Sequence, residues 1–378
     1  MTQTVPQTAR QIFSTVTAED RIELACRNVP VREPADDEVV VRVEAAPINP
    51  SDLGGMLSAA DSNAFQAGGD ADQPLAFAAI PEQAARFVAA RVGIAVSVGN
   101  EGAGTVVKAG ASPEAQALLG KTVALIGGGC YADYRIAKAA AVFALPDGVT
   151  AEEGASAFVN PMTALGMIGT MRLDGYKGLV HTAAASNLGQ MLVKLCAAEG
   201  VPLVNIVRSE EQVALLKGLG AEHVVNSTAP DFFAELTAAI AATDAYLAFD
   251  AIGGGKLAGQ ILTCMEAAVP KGTTFSPYGS TQMKQVYLYG GLSQAPTEFG
   301  RSFGMKWGIG GWLVGYFLER VGMEETIRLR ARVGRDIRTI FASQYSHRIS
   351  LTDVVDPAMI ATYNRRATGE KYLVTPHG

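Results

Sequence analysis

The sequence predicts an α/β protein with a β-rich amino-terminal half followed by a doubly wound parallel sheet. Short apolar or alternating runs separated by Gly and Pro indicate strands in the first half, at Glu38–Glu44, Gly104–Lys108, Lys121–Ile126 and Tyr134–Ala137. From about Ser156 strand and helix patterns alternate, which favours parallel strands joined by helices. The strands predicted there are Leu179–Ala184, Leu203–Val207, Val224–Asn226, Tyr246–Ala251 and Thr273–Ser276, and the first is followed by a helix at Asn187–Glu199.

Composition narrows the classes of function. The 378 residues suffice for two domains with sizeable cores, and a net charge of −6 disfavours nucleic acid or an anionic membrane as partner. The first twenty residues lack the charged start and apolar run of a signal peptide, so a cytoplasmic location is expected. The four cysteines form no CxxC pair or Cys/His cluster, which argues against a disulfide framework or a structural zinc site.

The segment Gly178–Arg208 predicts the first half of a dinucleotide-binding βαβ unit. Residues 184–189 stand where such units place Gly-x-Gly-x-x-Gly, with Ala184 and Ser186 at the first two glycine positions and Gly189 at the third. Small residues still allow the backbone to approach a pyrophosphate at the start of the following helix, whose free N–H groups favour anions. An ordinary crossover without a ligand is the alternative interpretation.

Arg208 favours NADPH over NADH as the ligand of this unit. NADH sites usually place Asp or Glu at the end of the second strand, to bind the ribose hydroxyls, and Arg208 stands there in this chain. A guanidinium pairs with a 2′-phosphate through two parallel hydrogen bonds. Glu210 and Glu211 would repel that phosphate if they faced it, and a solvated arginine that begins a helix is the alternative.

Residues 58–92 form an anomalous stretch within the β-rich half. Alanine, glycine and polar residues precede a helix-like patch at Pro81–Val92. The stretch is predicted to be an insertion, either a lid over a site or a surface decoration.

Several short motifs follow one another in order along the chain. They are Pro47–Asp52, Gly99–Gly104, Gly129–Tyr134, Asn160–Ala164, Ala183–Gly189, Leu219–Val224 and Phe249–Gly253. Their order and spacing resemble the zinc-free members of the medium-chain dehydrogenase/reductase superfamily, above all the quinone oxidoreductases and the mitochondrial-type enoyl reductases. The resemblance implies a GroES-like domain at 1–155 that contains the 58–92 insertion, a Rossmann NADP-binding domain at 156–340, and a return to the first domain at 341–378.

The resemblance also implies that no catalytic metal is bound. Zinc-dependent relatives bind their metal through Cys and His, and the positions resembling those ligands hold Asn49, Asn100 and Asn160. Amide side chains are poor zinc ligands compared with thiolate and imidazole.

Three residues are implied as catalytic side chains. Asn49 and Asp52 are expected near the nicotinamide, where they would orient the carboxamide or the substrate, and turn formation is their alternative role. In the enoyl reductases a tyrosine shortly after the first motif resembles a proton donor, but residues 53–58 contain no tyrosine. Tyr131 is the nearest substitute by family position, with a packed tyrosine as the alternative.

Positions along the cofactor follow from the same resemblance. Thr163 is expected behind the nicotinamide ring, whereas Tyr278 and Gly279, at the end of a predicted strand, are expected to cover the nicotinamide half. The pyrophosphate is expected to contact Ser186, Asn187 and Leu188. The ribose is expected to contact Ala251, Ile252 and Gly253. Lys371 stands near the carboxyl terminus, and its two alternatives are contact with the cofactor and exposure to solvent. A solvated lysine is expected.

Val286–Leu292 resembles the edge strand through which relatives dimerise, so a homodimer is expected. The sequence predicts a zinc-independent, NADPH-dependent reductase that transfers hydride to a quinone or a similar electron-poor acceptor. Water can protonate the hydroquinone anion, so this reaction needs no dedicated acid. The alternatives are an enoyl-thioester or 2-enone reductase, and a nicotinamide-binding protein whose catalytic side has decayed.

Overall fold

The computed structural model describes residues 5–270, 276–365 and 367–378. The chain divides into two compact units, the first formed by residues 1–159 with 332–378 and the second by residues 160–331. The sequence placed the corresponding boundaries near residues 156 and 340. The structure differs from this prediction by assigning the segment 332–340 to the first unit.

Strands dominate the chain up to residue 154. In order, the elements are β1 (Thr8–Val16), β2 (Arg21–Pro30), β3 (Glu38–Pro47), α1 (Pro50–Leu57), β4 (Gln66–Gly69), β5 (Pro74–Ala79), α2 (Glu82–Val88), β6 (Ala95–Ser97), β7 (Glu101–Ala109), α3 (Pro113–Gln116), β8 (Thr122–Ile126), β9 (Tyr134–Lys138), β10 (Val142–Ala144) and α4 (Ala151–Gly154).

Strand and helix alternate through most of the remaining chain. The elements are α5 (Val159–Leu173), β11 (Leu179–His181), α6 (Asn187–Glu199), β12 (Leu203–Val207), α7 (Glu210–Gly218), β13 (His223–Asn226), α8 (Phe232–Thr243), β14 (Leu247–Asp250), α9 (Leu257–Ala268), β15 (Lys284–Leu288), β16 (Trp307–Gly311) and α10 (Val314–Arg335). The last elements are β17 (His347–Ile349), α11 (Leu351–Val354), α12 (Pro357–Tyr363) and β18 (Tyr372–Val374).

Two sheets organise the described part of the first unit. Their strand orders are β4-β5-β2-β1-β6 and β10-β8-β7-β3-β18-β17, and β9 also pairs with β3. The central position of β3 agrees with its valines and alanines, which are buried along almost its whole length. β7 approaches β3 so closely that a Cβ on Gly104 would lie only 1.9 Å from the carbonyl oxygen of Arg42.

Residues 58–92 are part of the sheet and core of this unit, which corrects their interpretation as a lid or decoration. β4 pairs with β5, and β5 pairs with β2. Buried Phe65, Ala76, Ala78 and Ile80 join the core that both sheets share. These strands were difficult to predict because β5 is alanine-rich without polar residues to alternate, and β4 is only four residues of Gln, Ala and Gly.

The second unit is an open sheet with the order β13-β12-β11-β14-β15-β16. Every neighbouring pair is parallel. The chain proceeds outward from β11 through β12 to β13 and then returns to place β14 on the other side of β11. The predicted doubly wound sheet is confirmed, with its topological switch point between β11 and β14.

Some sequence-based bounds hold and others do not. The helix α6 and the strand β12 have the predicted limits, whereas β11 ends at His181, three residues before Ala184. The predicted strand Thr273–Ser276 lies outside the described residues except for Ser276, which is not in a strand. β15 lies between β14 and β16, so the prediction that Val286–Leu292 forms a sheet edge is wrong.

The carboxyl terminus returns to β3. β18 pairs antiparallel with it, with Leu373 opposite Pro47, and the N–H of Ile48 donates to the carbonyl of Tyr372 across 2.9 Å. Continuing this register places Lys371 opposite Asn49. No helix among the described residues combines the length and apolar character needed to cross a membrane.

Candidate active site

The turn between β11 and α6 is built around one close backbone approach. A Cβ on Gly189 would lie 2.1 Å from the carbonyl oxygen of Ala184, so no other residue fits there without movement. The hydroxyl of Ser186 accepts a hydrogen bond from the N–H of Gly189 and caps the start of α6. This is the helix–strand packing that the third glycine of a dinucleotide fingerprint provides.

Ala184 is fully buried in this turn, and its N–H donates to the carbonyl of Ile206 in β12. Ala183 has a φ of 50°, a conformation that glycine adopts more readily. Leu188 is buried behind the first turn of α6, and Asn187 begins that helix. The start of α6 therefore lies at the carboxyl edge of the sheet, where a pyrophosphate is expected.

Arg208 follows β12 directly and is exposed. Its backbone N–H donates to Oε1 of Gln212, and the hydroxyl of Ser209 caps α7. The two carboxylates that could repel a phosphate have partners of their own. Asn226 donates to the carboxylate of Glu210, and a hydrogen bond from Ser209 lowers the pKa of Glu211.

A carboxylate organises the turn after β14. Buried Asp250 accepts hydrogen bonds from the hydroxyl of Thr182 and from the N–H groups of Ile252 and Gly253. The N–H of Ala251 donates to the same threonine hydroxyl, so this turn is tied to the end of β11. The three predicted ribose residues thus lie beside the switch point of the sheet.

The loop after β15 also lies at the carboxyl edge of the parallel sheet, next to the turn at 251–253. This loop was not predicted from the sequence as part of the cofactor site. A Cβ on Gly253 would lie 2.6 Å from the carbonyl oxygen of Gly290, and one on Gly290 would lie 2.6 Å from that of Ala251. The signal was the glycine pair that ends the apolar run Val286–Leu292, which was interpreted as a dimer strand. A cavity of about 450 Å³ lies here, lined in part by Tyr289, Trp312 and Tyr316.

Tyr278 and Gly279 do not lie at this edge. They precede β15, and the carbonyl of Tyr278 accepts from the N–H of Met305, just before β16. Both residues are therefore near the amino ends of these parallel strands, opposite the nucleotide turn. Their assignment as cofactor residues is corrected, because it assumed a strand that ended at Ser276.

The first unit contains a buried polar cluster around Asn49. The side-chain amide of Asn49 donates to the carboxylate of Glu101 across 2.8 Å, and its backbone N–H donates to Asp52 across 2.8 Å. The other oxygen of Asp52 accepts from the N–H of Asn100 across 2.7 Å. Burial raises the pKa of Asp52 to about 7 and also raises the pKa of Glu101.

Lys371 is buried in the same cluster, which corrects the expectation of a solvated lysine. Among the described residues its Nζ has no hydrogen-bond partner, and it lies 5.5 Å from the centre of the Tyr345 ring. Burial lowers the pKa of Lys371 to about 8, although the negative charges of Glu101 and Asp52 oppose that shift.

Tyr131 is a core residue with a satisfied hydroxyl. It is fully buried, and its hydroxyl donates to the carbonyl of Pro47 across 3.0 Å. Burial raises the pKa of Tyr131 well above its ordinary value. A proton donor must reach the substrate, so this placement does not support Tyr131 as the donor.

The positions that resemble zinc ligands do not suit zinc. The amides of Asn49 and Asn100 donate hydrogen bonds to Glu101 and to the hydroxyl of Ser51, respectively. Asn160 and Thr163 are buried on α5, in the second unit. No group of three His, Cys, Asp or Glu residues within the described ranges is arranged to hold a metal ion. Amides that donate to Glu101 and Ser51 are poor zinc ligands compared with thiolate and imidazole.

Two family models match this chain and correspond to its two kinds of sheet. The alcohol dehydrogenase GroES-like domain matches residues 35–147, and the zinc-binding dehydrogenase model matches residues 188–286. The chain belongs to the medium-chain dehydrogenase/reductase superfamily. The predicted superfamily and fold class are confirmed.

Members of this superfamily named as quinone and enoyl reductases are similar to the chain. The mitochondrial enoyl-[acyl-carrier-protein] reductase of Xenopus tropicalis is 28% identical over 53% of this chain and 51% of its own length. The chloroplastic quinone-oxidoreductase homolog of Spinacia oleracea is 30% identical over 54% and 56%. The chain thus spans about half the length of the curated relatives it matches.

Solved structures extend the likeness over the whole chain. A Mesorhizobium loti protein, provisionally named an NADPH:quinone reductase, has a TM-score of 0.73 and 26% identity over 99% of this chain and 100% of its own. Escherichia coli quinone oxidoreductase, solved with NADPH, has a TM-score of 0.69 and 17% identity over 97% of this chain and 100% of its own. At that identity the second likeness shows the fold alone.

Proposed function

We propose that this protein is a zinc-independent, NADPH-dependent oxidoreductase that transfers hydride to a quinone or a similar electron-poor acceptor. The observation that carries the proposal is the turn at 182–189, where Gly189 lies against Ala184 and Ser186 caps α6. Arg208, at the end of the next strand, adds a cation where a 2′-phosphate would lie. Bound NADPH supplies the hydride.

The second unit would hold the cofactor. The N–H groups at the start of α6, with Ser186, Asn187 and Leu188, would bind the pyrophosphate. The turn Ala251–Gly253 would line the ribose, and Thr163 would lie behind the nicotinamide. Each of these roles needs only backbone donors, small side chains and one guanidinium.

The first unit would orient the acceptor through Asn49 and Asp52. Their buried hydrogen bonds fix both side chains, which reduces the cost of orienting a bound molecule. Residues 53–58 contain no tyrosine, and the hydroxyl of Tyr131 already donates a hydrogen bond to the carbonyl of Pro47. A quinone suits this arrangement because water can protonate its reduced form.

Reduction of an enoyl thioester or a 2-enone is the second candidate. It is favoured by the similarity to the Xenopus enoyl reductase and by Lys371, a buried cation that can carry a proton. An enolate formed in that reaction needs a donor close by. The amine of Lys371 would have to become accessible to serve as one.

The deciding experiment follows the oxidation of NADPH and NADH against quinones, 2-enones and enoyl-CoA thioesters. Fast, NADPH-selective turnover of quinones supports the proposal. Turnover confined to enoyl thioesters contradicts it in favour of the second candidate. Binding of NADPH without turnover on any acceptor would indicate a nicotinamide-binding protein without catalysis.

Zinc independence has a separate test. Metal analysis of the purified protein should find no stoichiometric zinc, and dialysis against a chelator should leave the rate of quinone reduction unchanged. Stoichiometric zinc whose removal abolishes activity would contradict this part of the proposal.

We also propose a homodimer joined through β16. This strand lies at the edge of the parallel sheet, and none of the described strands pairs with its outer side. Trp307 is 37% exposed and the nearby Met305 is 73% exposed, so the bare edge would be prone to association. Light scattering that finds only monomer would contradict the dimer.

A further inference from the structure

A second cavity of about 450 Å³ lies wholly within the first unit. One wall is apolar, since Ile94, Val96 and Val98 in and beside β6 line it. The volume lies within the range typical of sites for small organic molecules. Arg91, the cation of this lining, comes from the segment 58–92.

The guanidinium of Arg91 is fixed by neutral groups. Its Nη1 donates to the carbonyl of Gly55 across 3.0 Å and to the hydroxyl of Ser58 across 2.7 Å. Its Nη2 donates to the hydroxyl of Ser14 across 3.1 Å. A guanidinium has five N–H donors, so these contacts hold it in place and leave donors for a ligand.

No carboxylate of the described residues forms an ion pair with Arg91, and burial alone lowers the pKa of its guanidinium. Asp52 is the acidic residue of the cavity lining, but both of its oxygens accept backbone N–H groups. A half-buried permanent cation without a counter-ion favours an anionic ligand. The net charge of −6 makes this local cation more important, since the protein as a whole repels anions.

We propose that this cavity binds the acceptor of the proposed reductase, and that Arg91 selects acceptors whose apolar ring carries a carboxylate, sulfonate or phosphate. The inference rests on the proposed function, because Asp52 and Asn100 in the same lining belong to the motifs expected near the nicotinamide. The ring would pack on Ile94, Val96 and Val98 while the acidic group pairs with Arg91.

The test compares 1,4-naphthoquinone-2-sulfonate with 2-methyl-1,4-naphthoquinone as acceptors of NADPH electrons. Arg91→Gln should lower kcat/KM for the sulfonate about tenfold or more, mainly through KM, and change the methyl compound less than about twofold. Arg91→Lys should keep most of the preference, because it keeps the charge. Equal losses with both acceptors would overturn the proposal.

Arg86→Gln is the matched control, because exposed Arg86 lies on α2, packs over the ring of Phe87 and does not line the cavity. It removes the same charge and should leave both acceptors unaffected. If Arg91→Gln does not fold, Val96→Glu places a negative charge on an exposed part of the same wall. That variant should lower kcat/KM for the sulfonate below that for the methyl compound. An unchanged ratio of the two kcat/KM values would count against the site.

The failure of this inference can be separated from that of the proposed function. Reduction of both quinones without dependence on Arg91 refutes the inference and leaves the function intact. If neither quinone is reduced, equilibrium dialysis of the sulfonate against wild-type protein and Arg91→Gln tests the site directly. Binding lost in the variant supports the anion site, and equal binding overturns it.

Discussion

The side-chain amide of Asn49 donates a 2.8 Å hydrogen bond to the carboxylate of Glu101, and both residues are buried. The second oxygen of Glu101 accepts from the N–H groups of Phe158 and Val159, where α5 begins. Neutral donors therefore satisfy this carboxylate on both oxygens. The position that resembles a zinc ligand thus serves as a hydrogen-bond donor to an acidic residue.

Asn49→Asp should destabilise the protein strongly above pH 7. It replaces the donor with a second carboxylate next to Glu101, and two buried like charges in contact cost about 2–4 kcal/mol. The loss should shrink at pH 5, where one carboxyl of the pair takes up a proton. Urea unfolding at both pH values measures the difference. Asn100→Asp is the control, since its partner Ser51 can donate to a carboxylate; an equal loss there would contradict the argument.

Lys371→Met should change how stability depends on pH. The pKa of Lys371 is lowered from 10.5 to about 8 in the folded protein. Between these values the unfolded chain binds a proton that the folded chain has released, so this lysine makes stability rise with pH. The unfolding free energy of wild type relative to the variant should increase by roughly 2–3 kcal/mol from pH 8 to 10.5. A difference that stays constant across this window would mean that the lysine is solvated.

Arg208→Ala should weaken NADPH binding about 10–100-fold and leave NADH nearly unchanged, since a charged hydrogen bond contributes about 1.5–3 kcal/mol. Titration of protein fluorescence with each nucleotide measures both dissociation constants. Lys217→Ala, an exposed cation at the end of α7, is the control for net charge and should alter neither. Equal weakening of both nucleotides would refute the role of Arg208.

Gly189→Ala should disturb the nucleotide turn. The added Cβ would lie 2.1 Å from the carbonyl oxygen of Ala184, so the start of α6 and the turn at Ala184 must move apart. We expect a loss of about 2 kcal/mol or more in unfolding free energy, together with weaker nucleotide binding. Gly218→Ala, at the last residue of α7 with open space around it, should be neutral or slightly stabilising. Similar behaviour of the two variants would contradict this account.

The sequence alone determined the features that depend on short stretches of chain. The helix α6 and strand β12 were predicted with their observed bounds, because an apolar strand, a small-residue turn and an amphipathic helix follow one another within about thirty residues. The parallel sheet followed from repetition of that pattern. The resemblance to the superfamily followed from the order of its motifs.

Only the tertiary structure decided which strands lie side by side and which charges are buried. Sequence could not place β16 outside β15, so it assigned the wrong strand to the sheet edge. It also assumed a strand that ended at Ser276, and so it placed Tyr278 at the wrong end of the sheet. The sequence does not show whether a lysine such as Lys371 is buried. Pairing of β18 with β3 brings it to Asn49, which is more than 300 residues away in the chain. Helix and strand periodicity depends on residues that are neighbours in the sequence, whereas burial and electrostatics depend on segments that folding brings together.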